Sequence, residues 1–263
     1  MTEPAVQDNL TAKQSNYAVF LPAISGFYAT FIGKQRNEQY VDPSRFPQGL
    51  TDMEQLNWLN SQKALFPYRW SLYSGGHANL DLNKMDWSED MVRNRDPGSF
   101  ILGDSGGFQI FAMPNDRRMT EEGAKFLSYV DGRHILLTPE RSIATQRAIG
   151  SDIMMVLDQC VPSTVEHKEA RAAMELSNRW ALRSLAARGD SPQSLFAIVQ
   201  GACYEDLRRE SAAFLTQHPF DGFALGGLAV GESKQEREDT VEYAAPLLPQ
   251  DRPRYLMGVG TPI

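Results

Sequence analysis

The sequence predicts an α/β fold of the (β/α)8 type, a TIM-type barrel, and three features of the chain support this prediction. Short, nearly continuous apolar runs recur along the 263 residues, as expected for parallel strands that are buried on both faces. Helical patterns separate the later runs. Polar residues or glycines follow the runs directly, at the strand ends where such barrels collect their functional groups. An open doubly wound sheet is the alternative, but that fold would not need functional groups after every strand.

Seven runs are predicted as strands, beginning near residues 18, 70, 99, 152, 195, 222 and 254. Three helices are predicted between the later strands, over residues 166–187, 204–217 and 233–248, with Ser163 or Thr164 as the cap of the first. Residues 30–69 lack a regular pattern and are interpreted as an excursion with polar turns. A barrel of this type closes with eight strands, and the chain stops at Ile263, shortly after the seventh. We therefore expect a barrel that lacks its last strand.

Composition predicts one cytoplasmic domain. The chain is 42% apolar, enough for a full core, and its length is ordinary for a single barrel. No apolar run reaches the roughly 18 residues that cross a membrane, and the N-terminus lacks the basic-then-apolar order of a secretory signal. The two cysteines have no CxxC spacing and the four histidines are scattered, so neither a disulfide framework nor a metal site is expected within this chain.

The most informative segment is GDSGGFQ at residues 103–109, which follows the apolar run at 99–102. The run is interpreted as a buried strand and the segment as the loop at its carboxyl end. Glycine has no Cβ, so the two adjacent glycines would let the backbone approach a ligand closely. A simple turn needs glycine, but it does not need Asp104, Ser105 and Phe108 together. The combination favours a functional loop over a structural turn.

The strand-end residues together predict a pocket for a planar heterocycle. If the strands form one barrel, Asp104, Asp158 and Gln200 converge at one end with the backbone of residues 226–227. Guanine offers N1–H and N2–H2 to a carboxylate, and its O6 accepts from an amide or a backbone N–H. The set of groups therefore suits guanine better than it suits a metal-dependent hydrolysis.

Two apolar side chains are candidates for closing over the faces of such a ring. Aromatic rings and thioethers often stack on planar ligands, and Phe108 and Met257 stand at suitable strand ends. The alternative is that both residues simply belong to the hydrophobic core.

From about residue 98 to 262 the chain resembles the tRNA-guanine transglycosylases (queuine tRNA-ribosyltransferases). The segments that carry it are GDSGGFQIF, LTPERSIATQRAIGSDIMMVLDQC, FAIVQGACYEDLRRESA, FDGFALGGLAVGE and RYLMGVGTP. The resemblance implies a zinc-containing (β/α)8 barrel that replaces guanine in a nucleic acid with a 7-deazaguanine, the base-exchange step of queuosine and archaeosine synthesis. Residues 1–263 would form a single domain, with a divergent part at 1–97 and a family-like part at 98–263.

The resemblance also implies roles for individual positions. Asp104 is the implied acid/base carboxylate, and Asp158 and Gln200 are the implied readers of the guanine edge. Gly227 and Leu228 would present backbone groups to O6 and to the 7-substituent. The full set of implied base-binding residues is Ser105, Phe108, Asp158, Cys160, Gln200, Gly227, Leu228, Met257 and Gly258.

The chain also departs from the family pattern at both ends. The family's covalent nucleophile is an aspartate on the eighth strand, and its zinc ligands are a cysteine cluster and a histidine; the resemblance places both after the last residue of this chain. We therefore expect no metal ligands here and an incomplete form of the enzyme. The divergent N-terminal part is similar to a branch of the superfamily that modifies DNA. The alternatives to a tRNA-modifying enzyme are a DNA 7-deazaguanine transglycosylase and a non-catalytic accessory subunit, and a homodimer is possible.

The charge of the chain bears on nucleic-acid binding. The formal net charge is −7, whereas binding to a phosphate backbone requires a basic surface. Candidates for phosphate contacts near the pocket are Arg117, Arg118, Arg133 and Arg141. The alternative is that these arginines are ordinary solvated surface charges.

Overall fold

The protein has an α/β fold, seen in a computed structural model that describes residues 23–24, 70–74, 100–112, 117–127 and 134–259. The strands in chain order are β1 (Ala23–Ile24), β2 (Trp70–Ser74), β3 (Phe100–Asp104), β4 (Arg118–Met119), β5 (Ala124–Leu127), β6 (His134–Leu137), β7 (Ile153–Met155), β8 (Ser194–Val199), β9 (Gly222–Leu225) and β10 (Arg254–Leu256). The helices are α1 (Gly107–Ala112), α2 (Pro139–Ile149), α3 (His167–Arg188), α4 (Glu205–Leu215) and α5 (Lys234–Ala244), the last followed by a 3-10 turn at Ala245–Leu247.

One parallel sheet forms the centre of the molecule, in the order β1-β2-β3-β7-β8-β9-β10. Every residue of β9, and all but the first of β8, is buried, which explains why these strands read as unbroken apolar runs. The helices α3, α4 and α5 cover them through one hydrophobic core. Five strands, from β3 to β10 in this sheet, begin within a residue or two of predicted starts.

The sheet is curled. Burial raises the pKa of Tyr255 in β10 to about 12, and the negative charge of Asp104 in β3 adds to this shift. Three strands lie between β3 and β10, so in a flat sheet the two strands would be about 19 Å apart. Only a curled sheet brings Asp104 near enough to Tyr255 to affect it. The carboxyl ends of β3, β7, β8, β9 and β10 therefore surround one space.

Helix α2 and a small second sheet were not predicted from the sequence. The strands β4, β5 and β6 form an antiparallel sheet, which packs with α3 around the fully buried Trp180. The indole Nε1 donates to the carbonyl of Glu121 at 3.0 Å. Helix α2 begins at Pro139, its N-cap Thr138 accepts from the Arg141 N–H, and it ends at Gly150 in the left-handed conformation.

The predicted helix bounds need small corrections, and the predicted cap of α3 is wrong. Neither Ser163 nor Thr164 caps this helix: its N-cap is Glu166, without a side-chain cap hydrogen bond. The reason is a turn in which the N–H of Val165 donates to the carbonyl of Pro162 at 3.3 Å, so the helix begins only after it. Helix α5, by contrast, has a capping box between Ser233 and Glu236.

Two predictions fall outside the described residues: the first strand near residues 18–22 and the irregular excursion at 30–69. Within the described ranges, no helix is long and apolar enough to cross a membrane.

Candidate functional site

The loop after β3 is shaped by its two glycines. Gly106 has φ 95°, a left-handed conformation that favours glycine. The N–H of Gly107 donates to the hydroxyl of Ser105 at 3.3 Å. A Cβ on Gly107 would lie 2.6 Å from Oδ1 and 2.7 Å from the carbonyl oxygen of Asp158. The sequence predicted that the glycines would let the backbone approach a ligand. In the structure, the backbone at Gly107 closely approaches Asp158.

Asp158 is at the centre of the site, three residues beyond β7, and is only 6% exposed. Its Oδ2 accepts from Nε2 of Gln200 at 2.6 Å, and its Oδ1 accepts from the hydroxyl of Ser105 at 3.5 Å. Burial raises the pKa of Asp158 to about 7; the Gln200 hydrogen bond opposes this shift, and the negative charge of Asp104 adds to it. The structure thus brings Asp104, Ser105, Asp158 and Gln200 together.

Asp158 and Gln200 keep hydrogen-bonding capacity beyond the bond they share. An amide nitrogen has two N–H donors and each carboxylate oxygen has two lone pairs. Gln200 is 2% exposed, and its backbone N–H already donates to Ser211 Oγ at 3.4 Å. Among the described residues, nothing accepts from the second N–H of the Gln200 amide, and Oδ1 of Asp158 accepts only the long contact from Ser105. Such a pair can present an acceptor and a donor side by side to the edge of a base.

The loop after β9 lies against Gln200. Gly227 has φ 64°, and a Cβ on it would collide with Oε1 of Gln200. A Cβ on Gly226 would lie 3.6 Å from Sδ of Met257, so the residue after β10 also borders this loop. Leu228 is buried. The backbone of the glycine pair is therefore placed beside the amide of Gln200, as the sequence predicted.

Sequence reasoning missed Glu232, which organises the same loop. Its side chain is 1% exposed and lies 3.5 Å from Arg237. It accepts from the N–H of Ala229 and, at 3.0 Å, from the N–H of Val230. Burial alone would raise the pKa of Glu232, but the hydrogen bonds from these backbone N–H groups lower it overall. A lone glutamate before a helix carries no motif, so only the folded loop reveals its role.

Serines on the helices hold three strand-end loops in place, and sequence reasoning missed these as well. On α2, Ser142 Oγ donates to the carbonyl of Ser105 at 2.9 Å. On α3, Ser177 Oγ accepts from the N–H of Gln159 at 2.9 Å. On α4, Ser211 Oγ accepts the Gln200 N–H and donates to Asn178 Oδ1 at 3.0 Å. Each polar loop is thereby tied to a helix.

The remaining predicted residues have different settings. Cys160 is buried, and burial together with the charge of Asp158 raises the pKa of its thiol to about 12, so it is a neutral thiol at neutral pH. Gly258 is exposed with φ 68°. Phe108 is the second residue of α1, and the stacking of its ring stays a prediction.

Two of the four candidate phosphate-binding arginines make local contacts. The guanidinium of Arg117 lies 5.1 Å from the ring centroid of Phe111 and donates to the carbonyl of Ile110 at 3.2 Å. That of Arg141 donates to the carbonyl of Leu136 at 3.3 Å. Arg118 is exposed, and Arg133 lies outside the described residues.

No group of three or more His, Cys, Asp and Glu side chains in the described ranges could hold a metal ion. The zinc site that the family resemblance implies stays a prediction, since the resemblance assigns its ligands to positions outside residues 1–263.

Fold and site together define a class: an α/β protein with a buried acid-amide cluster at the carboxyl ends of its parallel strands. Comparison with known proteins identifies the group within that class. The family model for Queuine tRNA-ribosyltransferase matches residues 81–263, and the chain belongs to this family.

Curated relatives agree with the family match. The chain is 56% identical over 162 residues to the Queuine tRNA-ribosyltransferase of Thioalkalivibrio sulfidiphilus, 53% identical to that of Dichelobacter nodosus and 52% identical to that of Pseudomonas aeruginosa. Each match covers 62% of this chain and 44% of the relative. The matched part of the chain thus spans less than half the length of these relatives.

Proposed function

We propose that this chain carries the base-recognition part of a cytoplasmic enzyme that exchanges guanine in tRNA for a 7-deazaguanine. The observation that carries the proposal is the buried contact of 2.6 Å between Asp158 and Gln200 at neighbouring strand ends. This arrangement suits guanine, which needs an acceptor and a donor on one edge. We further propose that the curled sheet is part of a (β/α)8 barrel and that residues 1–263 belong to one domain.

In the proposed complex, Asp158 accepts from N1–H and N2–H2 of guanine while Gln200 donates to O6. The backbone at Gly227 and Leu228 adds polar groups near O6 and position 7. Phe108 and Met257 cover the two faces of the ring. Binding of the base would replace the weak 3.5 Å contact from Ser105 to Asp158 by stronger donors.

The proposed reaction is a double displacement. An enzyme carboxylate attacks C1′ of the target nucleoside, the C1′–N9 bond breaks, and guanine leaves after taking up a proton. The incoming base then loses its proton, attacks C1′ and displaces the carboxylate, so the nucleic-acid backbone stays intact. Asp104 is the proposed group that gives the first proton and takes the second. The family resemblance assigns the nucleophile to a second aspartate outside this chain.

The affinity for guanine is expected to weaken as the pH falls below about 7. To accept from both N1–H and N2–H2, Asp158 must be ionised, and its pKa of about 7 means that it is protonated at lower pH. Below this pKa, the ionised fraction of Asp158 falls about tenfold for each pH unit. The apparent Kd should therefore rise about tenfold per unit on the acid side and level off on the alkaline side. Calorimetric titration of the chain with guanine across this range measures the effect.

Asp158→Asn is the control for this titration. The amide turns one acceptor into a donor that faces a donor, which should cost about 1–3 kcal/mol of binding free energy. The variant should also lose the pH dependence because its amide does not titrate. A pH-independent affinity in the unaltered chain, or an unchanged affinity in Asp158→Asn, would contradict the assignment of Asp158.

The identity of the nucleic-acid substrate is tested by measuring the incorporation of labelled guanine into unmodified tRNA and into duplex DNA, side by side. The target base must be turned out of its stack into the pocket, and an unpaired anticodon loop costs less to open than a duplex. We therefore expect incorporation into tRNA. Incorporation into DNA alone would support the DNA-modifying alternative. Guanine binding without incorporation into either, by the protein with its full catalytic machinery, would support an accessory role.

A further inference from the structure

Arg208 on α4 is a fully buried cation close to the candidate site. Its guanidinium donates to three backbone carbonyls: Nε to Ala202 at 2.8 Å, Nη1 to Val199 at 2.7 Å and Nη2 to Gly227 at 3.4 Å. Burial lowers the pKa of Arg208 to about 10, so the group stays charged at neutral pH. A buried charge is costly unless it is well hydrogen-bonded, and these hydrogen bonds all end on loop or strand-end backbone.

The three carbonyls belong to the two loops that present the base-reading groups. Val199 directly precedes Gln200, and Ala202 follows it by two residues. Gly227 lies in the neighbouring loop, against the side chain of Gln200. One planar guanidinium therefore bridges the loop after β8 and the loop after β9. It does so beside the backbone hydrogen bond from the Gly226 N–H to the Val199 carbonyl at 3.1 Å.

The backbone of the first loop needs such support. Ala202 has φ 50°, and Gly201 has φ 142°. The left-handed conformation is unfavourable for a residue with a Cβ and persists only where the surroundings impose it. The hydrogen bond from Nε of Arg208 to the Ala202 carbonyl is one such constraint.

A second contact of Arg208, from Nη2 to the Gly227 carbonyl, orients the loop after β9. In a trans peptide the C=O and the N–H point in opposite directions. Because the Gly227 carbonyl faces Arg208, the N–H of Leu228 points away from α4. Rotation of this peptide would exchange a donor for an acceptor on the side where the base is proposed to bind.

We propose that Arg208 is a positioning residue that sets the relative placement of Gln200 and the Gly227–Leu228 peptide for recognition of the base. This inference rests on the proposed function. It adds that affinity for guanine depends on a side chain that does not touch the base.

The test compares Arg208→Met and Arg208→Lys with a matched control, Arg188→Met. Arg188 forms a short ion pair with Asp221, at 2.6 Å. Asp221 in turn accepts from the N–H of Leu195 at 2.8 Å. These contacts lie at the amino ends of β8 and β9, away from the site. All variants are compared with the unaltered chain at a temperature where circular dichroism shows each to be folded.

The first measurement is the Kd for guanine by calorimetry. We expect Arg208→Met to bind about tenfold or more weakly, since it loses charged hydrogen bonds that hold both loops. Arg208→Lys, which offers one point charge in place of a fork, should recover part of the affinity. Arg188→Met should bind as the unaltered chain does, even if it melts at a lower temperature. Equal affinity in Arg208→Met, or an equal loss in Arg188→Met, would overturn the proposal.

The second measurement is amide hydrogen exchange, which does not depend on the ligand. Arg208→Met should exchange faster at residues 200–203 and 226–229, and Arg188→Met should not. If Arg208→Met does not fold, Arg208→Lys decides by the same comparison. Unchanged exchange in both loops would overturn the positioning role. If the unaltered chain binds no guanine while the exchange result holds, the proposed function fails and the link between the loops stands.

Discussion

Asp104→Asn is expected to lower the rate of base exchange by about 10²–10⁴, the usual range for the loss of acid-base assistance. The leaving guanine must gain a proton and the incoming base must lose one, and the substituted amide can do neither. The structure places Asp104 at the end of β3, close enough to Asp158 and Tyr255 for its charge to raise the pKa of both. The measurement is single-turnover incorporation of labelled base into tRNA by the protein with its full catalytic machinery.

Binding of tRNA should survive this substitution, because the shape of the residue is preserved. Asp152→Asn is the matched control: Asp152 Oδ2 accepts from the N–H of Ile101 at 2.8 Å and stands before β7, at the opposite end of the strands. It should change stability more than the rate of chemistry. A rate for Asp104→Asn within a few-fold of the unaltered enzyme would remove Asp104 from the mechanism.

Gly107→Ala is expected to reduce turnover by about 10²-fold, a loss typical of reacting groups displaced by about 1 Å. The added methyl would lie 2.6 Å from Asp158 Oδ1 and 2.7 Å from the carbonyl oxygen of Asp158. Since the second of these atoms belongs to the backbone, the collision cannot be relieved by rotating one flexible side chain. Either the carboxylate or the loop must move, and the base edge loses its acceptor. Guanine affinity and turnover report the change.

Gly189→Ala separates this effect from a general loss of stability. Gly189 follows α3 with φ 53°, and a Cβ there would meet no atom within 4 Å. The alanine strains the backbone without touching the site, so the melting temperature should fall while guanine affinity is kept. Full guanine affinity in Gly107→Ala would show that the close approach to Asp158 is not needed for binding.

The core of the site could be predicted because it follows from strand order. Asp104, Asp158 and Gln200 each follow a buried apolar run, and neighbouring parallel strands bring their carboxyl ends together. The geometry confirms that these groups are close to one another. Their assigned roles toward the base stay predictions.

Some elements were missed although the sequence contained signals for them. Thr138 followed by Pro139, with Gly150 eleven residues further on, marks a helix start and a helix end. The small sheet of β4 to β6 has strands of two to four residues, too short for an alternating pattern to stand out.

Arg208 and Glu232 could not have been found by pattern. Within the described residues, the side-chain hydrogen bonds of Arg208 and Glu232 end on the backbone, whose groups are the same at every position. A charged residue that is buried against backbone looks, in the sequence, like any residue on a solvated helix or loop. Only the fold shows that α4 turns Arg208 inward.

The serine contacts from the helices to the strand-end loops have a consequence for local unfolding. Ser142, Ser177 and Ser211 each lie on a helix that also carries part of the core, so three of the strand-end loops share an anchor with the helical layer. A helix that detaches even briefly releases the loop that it holds. The candidate site should therefore open in the same cooperative units as the helices that hold its loops. A complete site needs α2, α3 and α4 to be packed on the sheet at the same time.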